Sequence, residues 1–357
     1  MKLLLFTDIH FGARSNSDQH LQDCLDYISW FCDLAKKEQA THIGFLGDWY
    51  ENRNSVNIRT LNASHKAARM LNALGLPVFF IVGNHDLYHR GNRNAISTDP
   101  FSDLENFILV NEPMELTPEI FATPFLFKDE YPEIASAINS YKYVLGHFEF
   151  RDFVVTGADR RLDHGPDALA FSGPKYLLTG HFHKRQVSKN VVYIGNAFPT
   201  TFGDAGDEER GAAMLETDSE ELCFFNYENA PLFYKTRLST VLGGMETFKD
   251  RARVRCLLDV DVGYSDVQGL REEMMETFKL REFSVEEDLQ SKKDAIGNGL
   301  DTDDLDLSSL DNTVRKLIHE GVSPTATIDP AVLVVLYEEL GNNHERLSSR
   351  CLGTYSN

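Results

Sequence analysis

Lys2-Leu3-Leu4-Leu5-Phe6-Thr7-Asp8-Ile9-His10 runs from unbroken apolar character into an Asp and a His within four residues. A short apolar run closed by a polar break predicts a strand buried on both faces. The same cadence recurs four times: residues 42–46 lead into Gly47-Asp48, and residues 78–82 into Gly83-Asn84-His85-Asp86. Residues 143–145 lead into Gly146-His147, and residues 176–179 into Gly180-His181-Phe182-His183. Between the first three runs lie helical stretches. Leu21, Cys24, Leu25, Ile28, Phe31 and Ala35 fall on one helix face, as do Ile58, Leu61, Ala68, Leu71 and Leu74. Strand-helix-strand alternation predicts an α/β fold whose chemistry sits at the carboxyl ends of the strands, where every polar break falls. The first run superficially resembles a signal peptide. It ends too early for one, and no small-residue cleavage site follows, so a buried first strand is expected.

At 357 residues the chain has material for two or three domains, and no apolar run approaches a membrane span. The five cysteines are odd in number and form no CxxC pair, which predicts free thiols in a reducing cytoplasm. A net charge of −20 at first argues against a nucleic-acid partner. Its distribution softens that objection. Residues 204–357 carry 32 acidic and 16 basic side chains, leaving 23 acidic and 19 basic in residues 1–203. Two divalent cations would bring that first part close to neutrality.

Past a strand at 191–194 the character changes. Residues 253–261 read as a strand, 265–278 as an amphipathic helix and 280–286 as a second strand, a small β-α-β cap. Residues 291–308 are polar and acidic with two glycines, a linker composition. Two short helices are expected beyond it, carrying Leu317, Ile318, Val332, Val335, Leu336 and Leu340.

A lone Asp-x-His says nothing, but five such breaks in series are hard to assemble by chance. Mixed Asp, Asn and His donors suit a two-metal hydrolase: a carboxylate can bridge two cations, while neutral imidazoles bind without cancelling the charge. That mixture favours Mn, Fe or Zn over Mg. Glycines before Asp48, Asn84, His147 and His181 permit sharp turns and close approach.

These motifs resemble those of the calcineurin-like metallophosphoesterase superfamily: D-x-H, G-D, G-N-H-D, G-H and G-H-x-H. Within it, the chain is similar to SbcD-type double-strand-break repair nucleases, and more narrowly to small subunits of tailed-phage recombination endonucleases. Gly195-Asn196-Ala197-Phe198-Pro199 and Arg210-Gly211-Ala212 add to that likeness. The resemblance implies a β-sandwich flanked by helices, with a nuclease domain over 1–240, the cap over 241–290, the linker over 291–308 and a helical partner-binding segment over 309–357. It implies two divalent metals, manganese being expected: Asp8, His10 and His183 hold one, Asp48 bridges, and Asn84, His147 and His181 hold the other. His85 is then the catalytic group that stabilises the transition state or protonates the leaving 3′ oxygen, and Asp86 orients its ring. Double-strand exonuclease and single-strand endonuclease activities are implied. So are a homodimer built through the helix at 58–74, and docking of the C-terminal segment on a coiled-coil SbcC-type ATPase in a heterotetramer. One departure stands out. Relatives often carry a second active-site His three residues after the bridging Asp, where this chain has Glu51.

Arg14, Arg53, Arg59, Arg90, Arg93, Arg151, Arg160, Arg161, Lys184 and Arg185 follow the motifs closely. They form either a phosphate-contacting rim for DNA or a solvated mixed-charge surface, since Asp18, Glu51, Asp99, Glu149 and Asp152 share those loops. Nothing suggests readout of base edges. Two rivals to a nuclease remain. A protein or small-molecule phosphatase is disfavoured by Asp86 where protein phosphatases carry Glu, and a non-catalytic DNA-end scaffold by the intact donor set.

Overall fold

A computed structural model describes residues 1–155 and 160–287. Fifteen strands occur among them: β1 Lys2–Phe6, β2 His42–Phe45, β3 Val78–Ile81, β4 Phe107–Val110, β5 Met114–Thr117, β6 Ile120–Ala122, β7 Tyr143–Gly146, β8 Tyr176–Thr179, β9 Gln186–Ser188, β10 Val191–Tyr193, β11 Gly211–Glu216, β12 Glu221–Asn226, β13 Phe233–Arg237, β14 Arg253–Leu258 and β15 Glu282–Glu287. They make two six-stranded sheets, ordered β12-β11-β1-β2-β3-β4 and β5-β6-β7-β8-β10-β9, and a smaller sheet β13-β14-β15. Parallel pairing runs from β1 to β4 and from β6 through β7 and β8 to β10, with antiparallel strands at the margins. The two large sheets with their flanking helices make the expected α/β sandwich.

Alternation along β1 shows why its apolar run is continuous. Leu3 and Leu5 point between the sheets and pack with Ile81, Ile120, Leu145, Leu178 and Val192. Leu4 and Phe6 point the other way, onto Tyr27, Ile28 and Phe31 of the helix Asp18–Lys37. A strand covered on both faces needs apolar residues at every position. The second sheet repeats the plan: Val144, Leu177 and Tyr193 face outward onto Tyr131, Ile134, Phe148 and Phe171. The helix Asp18–Lys37 starts at Ser17, whose hydroxyl accepts the His20 amide, and its last turn carries Lys36 and Lys37 against the dipole. Asn57 caps the helix Ile58–Asn72 in the same way.

The small domain contains the expected β-α-β unit and adds a strand to it. Its sheet has three parallel strands, the first drawn from Phe233–Arg237, before residue 241. The helix Tyr264–Thr277 joins the other two. Buried Asp23 on the long helix receives both Arg251 and Arg281 of this domain, and Arg14 meets Glu282 at 3.1 Å. The expected linker and C-terminal helices lie outside the described residues.

Candidate metal centre

All five polar breaks fall at carboxyl ends, three on the first sheet after β1, β2 and β3, and two on the second after β7 and β8. The site therefore straddles the sandwich. Carboxylates stitch its turns together. Asp8 accepts the Thr7 hydroxyl at 2.6 Å and the His181 amide at 3.1 Å, joining the ends of β1 and β8. Asp48 accepts the His85 amide at 2.8 Å. Asp8, His10, Asp48 and His181 all have left-handed backbones, with φ of 50°, 50°, 62° and 88°. Such conformations cost on the order of 1–3 kcal/mol each and persist only where surroundings enforce them. Here Asp8 N–H bonds the Gly47 carbonyl (2.9 Å), and His10 N–H the Asp48 carbonyl (3.2 Å). Two glycines make the approach possible. A Cβ on Gly47, whose φ is +101°, would meet His147 Nδ1 at 2.4 Å; one on Gly180 would meet Thr7 Oγ1 at 2.1 Å.

A group of His10, Glu51 and His85 overlaps the first of two others, Asp8 with His10 and His183, and Asp48 with His147 and His181. Asp48 lies between them, its Oδ2 4.0 Å from His10 Nε2 and 3.3 Å from His147 Nε2. Asn84 Oδ1 joins the second group, 3.0 Å from His147 Nε2 and 2.9 Å from His181 Nδ1. Outer partners fix the tautomers. His147 Nδ1 must donate to the Leu46 carbonyl (2.7 Å), and His181 Nε2 donates to Glu149 (3.1 Å). In their neutral forms both rings turn a lone pair inward, the two nitrogens 3.3 Å apart and that of His147 3.3 Å from Asp48 Oδ2. In the first group, His10 Nε2 and His183 Nε2 face each other at 3.1 Å. Lone pairs and carboxylates converging in a buried space repel unless a cation lies among them. The residues present therefore fit two divalent ions.

The electrostatics agree. Burial alone would pull His147 down, but Asp48 and then Asp8 outweigh it and lift the imidazole to about 9. Burial opposes charge on His10 too, yet Glu51, Asp48 and Asp8 raise it to about 9. His183 is held well below its usual value by burial, His10 and Arg210. The carboxylate field thus attracts protons wherever no metal satisfies it.

His85 stands edge-on to His10, ring centroids 5.0 Å apart, and its Nδ1 donates to the Glu51 carbonyl at 2.7 Å. Asp86 does not orient that ring, contrary to expectation. Its carboxylate accepts the amides of Gly83 (2.9 Å), Asp48 (3.1 Å), Trp49 (3.0 Å) and Tyr50 (3.2 Å), so it clamps the second and third motif turns instead. Glu51, at the position of the missing His, places Oε2 2.9 Å from His10 Nδ1.

The expected basic rim is thinner than its sequence suggested. Arg93 is engaged within the fold, its guanidinium bonded to both oxygens of Glu130 and to the Phe125 carbonyl. Arg185 lies over the Phe224 ring and bonds Asn226 and the Ile194 carbonyl. Arg14 pairs with Glu282, Arg59 with Asp18, Arg151 with Asp167, and Arg161 donates to the Asp152 carbonyl. Arg90 and Arg160 are exposed; Arg53 and Lys184 are half-buried. Sequence reading missed three contributors: Glu149, the Phe125 ring 5.9 Å from that of His181, and His20, whose Nε2 donates to the His10 carbonyl at 2.9 Å. Only Glu149 left a trace, a carboxylate two positions after a motif His.

The model for the calcineurin-like phosphoesterase family matches residues 1–185, more than half of the chain. The chain belongs to the calcineurin-like phosphoesterase family. The family uses a dinuclear metal centre, and this chain has candidate metal-binding groups of residues. Among curated relatives, exonuclease subunit 1 of Enterobacteria phage T4 is 27% identical over 231 residues, 63% of this chain and 67% of the relative. Similar solved structures include a dimetal phosphatase from Danio rerio, 11% identical with a TM-score of 0.38 over 60% of this chain and 91% of the other. Another is the Pseudomonas putida nuclease MPE, 17% identical with a TM-score of 0.31 over 59% and 82%.

Proposed function

We propose that the protein is a two-metal DNA nuclease subunit, cutting duplex ends as an exonuclease and single strands as an endonuclease in recombination and double-strand-break repair. The observation that carries this reading is the convergence of seven donors from five strand ends with His85 beside them. The likeness to a phage exonuclease subunit supports DNA as the substrate. Asp8, His10 and His183 would hold one cation and Asn84, His147 and His181 the other, with Asp48 available to both; the donors suit manganese. When bound, the two cations supply Lewis acidity and a nucleophile at neutral pH. The chain's own groups do the rest. His85 donates Nδ1–H to the Glu51 carbonyl, so Nε2 is the nitrogen that holds a proton for the leaving 3′ oxygen. The Phe125 ring lies beside the second group, 5.9 Å from the ring of His181.

An SbcC-type coiled-coil ATPase is the proposed partner, docked through residues 309–357. Homodimerisation is proposed through the helix Ile58–Asn72, where Ile58 is 75% and Leu61 46% exposed. The four described cysteines are unpaired, in keeping with action in a reducing cytoplasm, and among the described residues no helix is long and apolar enough to cross a membrane.

Purified protein with Mn2+ is expected to degrade linear duplex and circular single-stranded DNA in preference to a phosphomonoester. Asp48→Ala and His85→Ala should each reduce cleavage by at least 100-fold. Preference for the monoester would favour a phosphatase, and robust cleavage by both variants would remove the assigned mechanism.

A further inference from the structure

Behind the second donor group stands a carboxylate that belongs to none of the five motifs. Glu149 Oε2 accepts a hydrogen bond from His181 Nε2 at 3.1 Å, which leaves His181 Nδ1 facing Asn84 and His147. Glu149 is not a loose surface side chain that happens to reach the ring. Its own amide donates to the hydroxyl of buried Tyr131 at 3.1 Å. On one side, Phe148 N–H bonds Thr179 Oγ1 at 2.8 Å, and its carbonyl accepts the Tyr193 hydroxyl at 2.9 Å. On the other, Phe150 N–H bonds the same Tyr193 oxygen at 3.2 Å. Three successive residues after His147 are thus held by buried hydroxyls, from the helix Tyr131–Ala137, β8 and β10. The anchored segment presents its one carboxylate to a histidine on the neighbouring strand end.

We infer that Glu149 is a positioning residue: it fixes the His181 ring and its tautomer so that Nδ1 serves the second cation. Outer-sphere acceptors of this kind orient metal-ligating imidazoles, and their loss typically weakens binding 10- to 100-fold. His147 has the Leu46 carbonyl for this purpose, which no side-chain substitution can remove; His181 depends on Glu149. The inference rests on the two-cation reading above and adds to it a residue outside the family's ligand set.

The test titrates Mn2+ into chelator-treated full-length protein, followed by calorimetry and by electron paramagnetic resonance. Wild type is expected to bind two ions and to show the spectrum of a coupled pair. Glu149→Ala should weaken one of the two binding steps by 10- to 100-fold, so that two equivalents give the signal of isolated ions. Glu149→Gln keeps a carbonyl acceptor and should bind within about threefold of wild type. Should the alanine variant fail to fold, Glu149→Leu retains the apolar stem without the acceptor and is expected to behave as the alanine variant does. Unchanged binding in the alanine or leucine variant overturns the assignment, as does a glutamine variant no better than either. Wild-type protein that binds fewer than two ions overturns the two-cation reading, and this inference with it.

Discussion

At the scale of single residues, the site is a set of charges held by hydrogen bonds in conformations the chain would otherwise avoid. His10 and His147 are lifted to about 9 when no cation is present, so both carry protons at pH 7. A raised histidine stabilises the fold fully below its unfolded value of about 6.5, and that contribution is lost as pH rises through 9. Metal binding must displace these protons. Calorimetry at pH 7 in buffers of different ionisation enthalpy should therefore register net proton release on Mn2+ binding. Apparent affinity should climb between pH 7 and 9. Zero release would contradict the charge state assigned to the cation-free site. Legibility at this scale was uneven for a physical reason. The donors could be read because each closes a strand, a local pattern. The partners could not, because Glu130 for Arg93, Asn226 for Arg185 and the four amides for Asp86 are brought in by the fold.

Among elements, the strands that carry the motifs were found almost to the residue, since each is a short run buried on both faces with a polar stop. Gly211–Glu216 was not. Its sequence, GAAMLE, is rich in helix formers and becomes a strand through its pairing with β1 and β12. Met114–Thr117 is half-exposed at a sheet edge and offers no apolar run to notice. The small domain's first strand, FYKTR, likewise alternates with charge. What couples that domain to the long helix is ionic: Asp23, 2% exposed, is shared by Arg251 and Arg281. Asp23→Ala would leave two guanidinium groups facing each other. Because Arg251 is a third exposed, solvent screening trims the cost of a fully buried broken pair to roughly 2–3 kcal/mol. Urea unfolding should show that loss, with faster proteolysis within residues 238–287. A change below about 1 kcal/mol would mean the coupling is chiefly apolar.

Over the whole molecule, charge and function divide along the chain. The motif-bearing 1–203 is near neutral once two cations are counted, whereas 204–357 carries a balance of −16. Such an acidic stretch is poorly suited to DNA and better suited to a basic protein surface. Deleting residues 305–357 is expected to abolish association with the coiled-coil ATPase in a pull-down while Mn2+ binding stays intact. Retained association would place the partner's docking surface elsewhere. The order of strands in the first sheet has a further consequence, for synthesis. β1 leaves the ribosome long before β11, which covers one of its edges and lies more than 200 residues later. All seven donors have been translated by His183, well before that edge closes. A nascent chain, or a fragment cut at the end of the motif region, exposes a flat apolar strand edge of the kind that recruits other chains. β11 holds none of the seven donors, yet its pairing with β1 is what closes that edge.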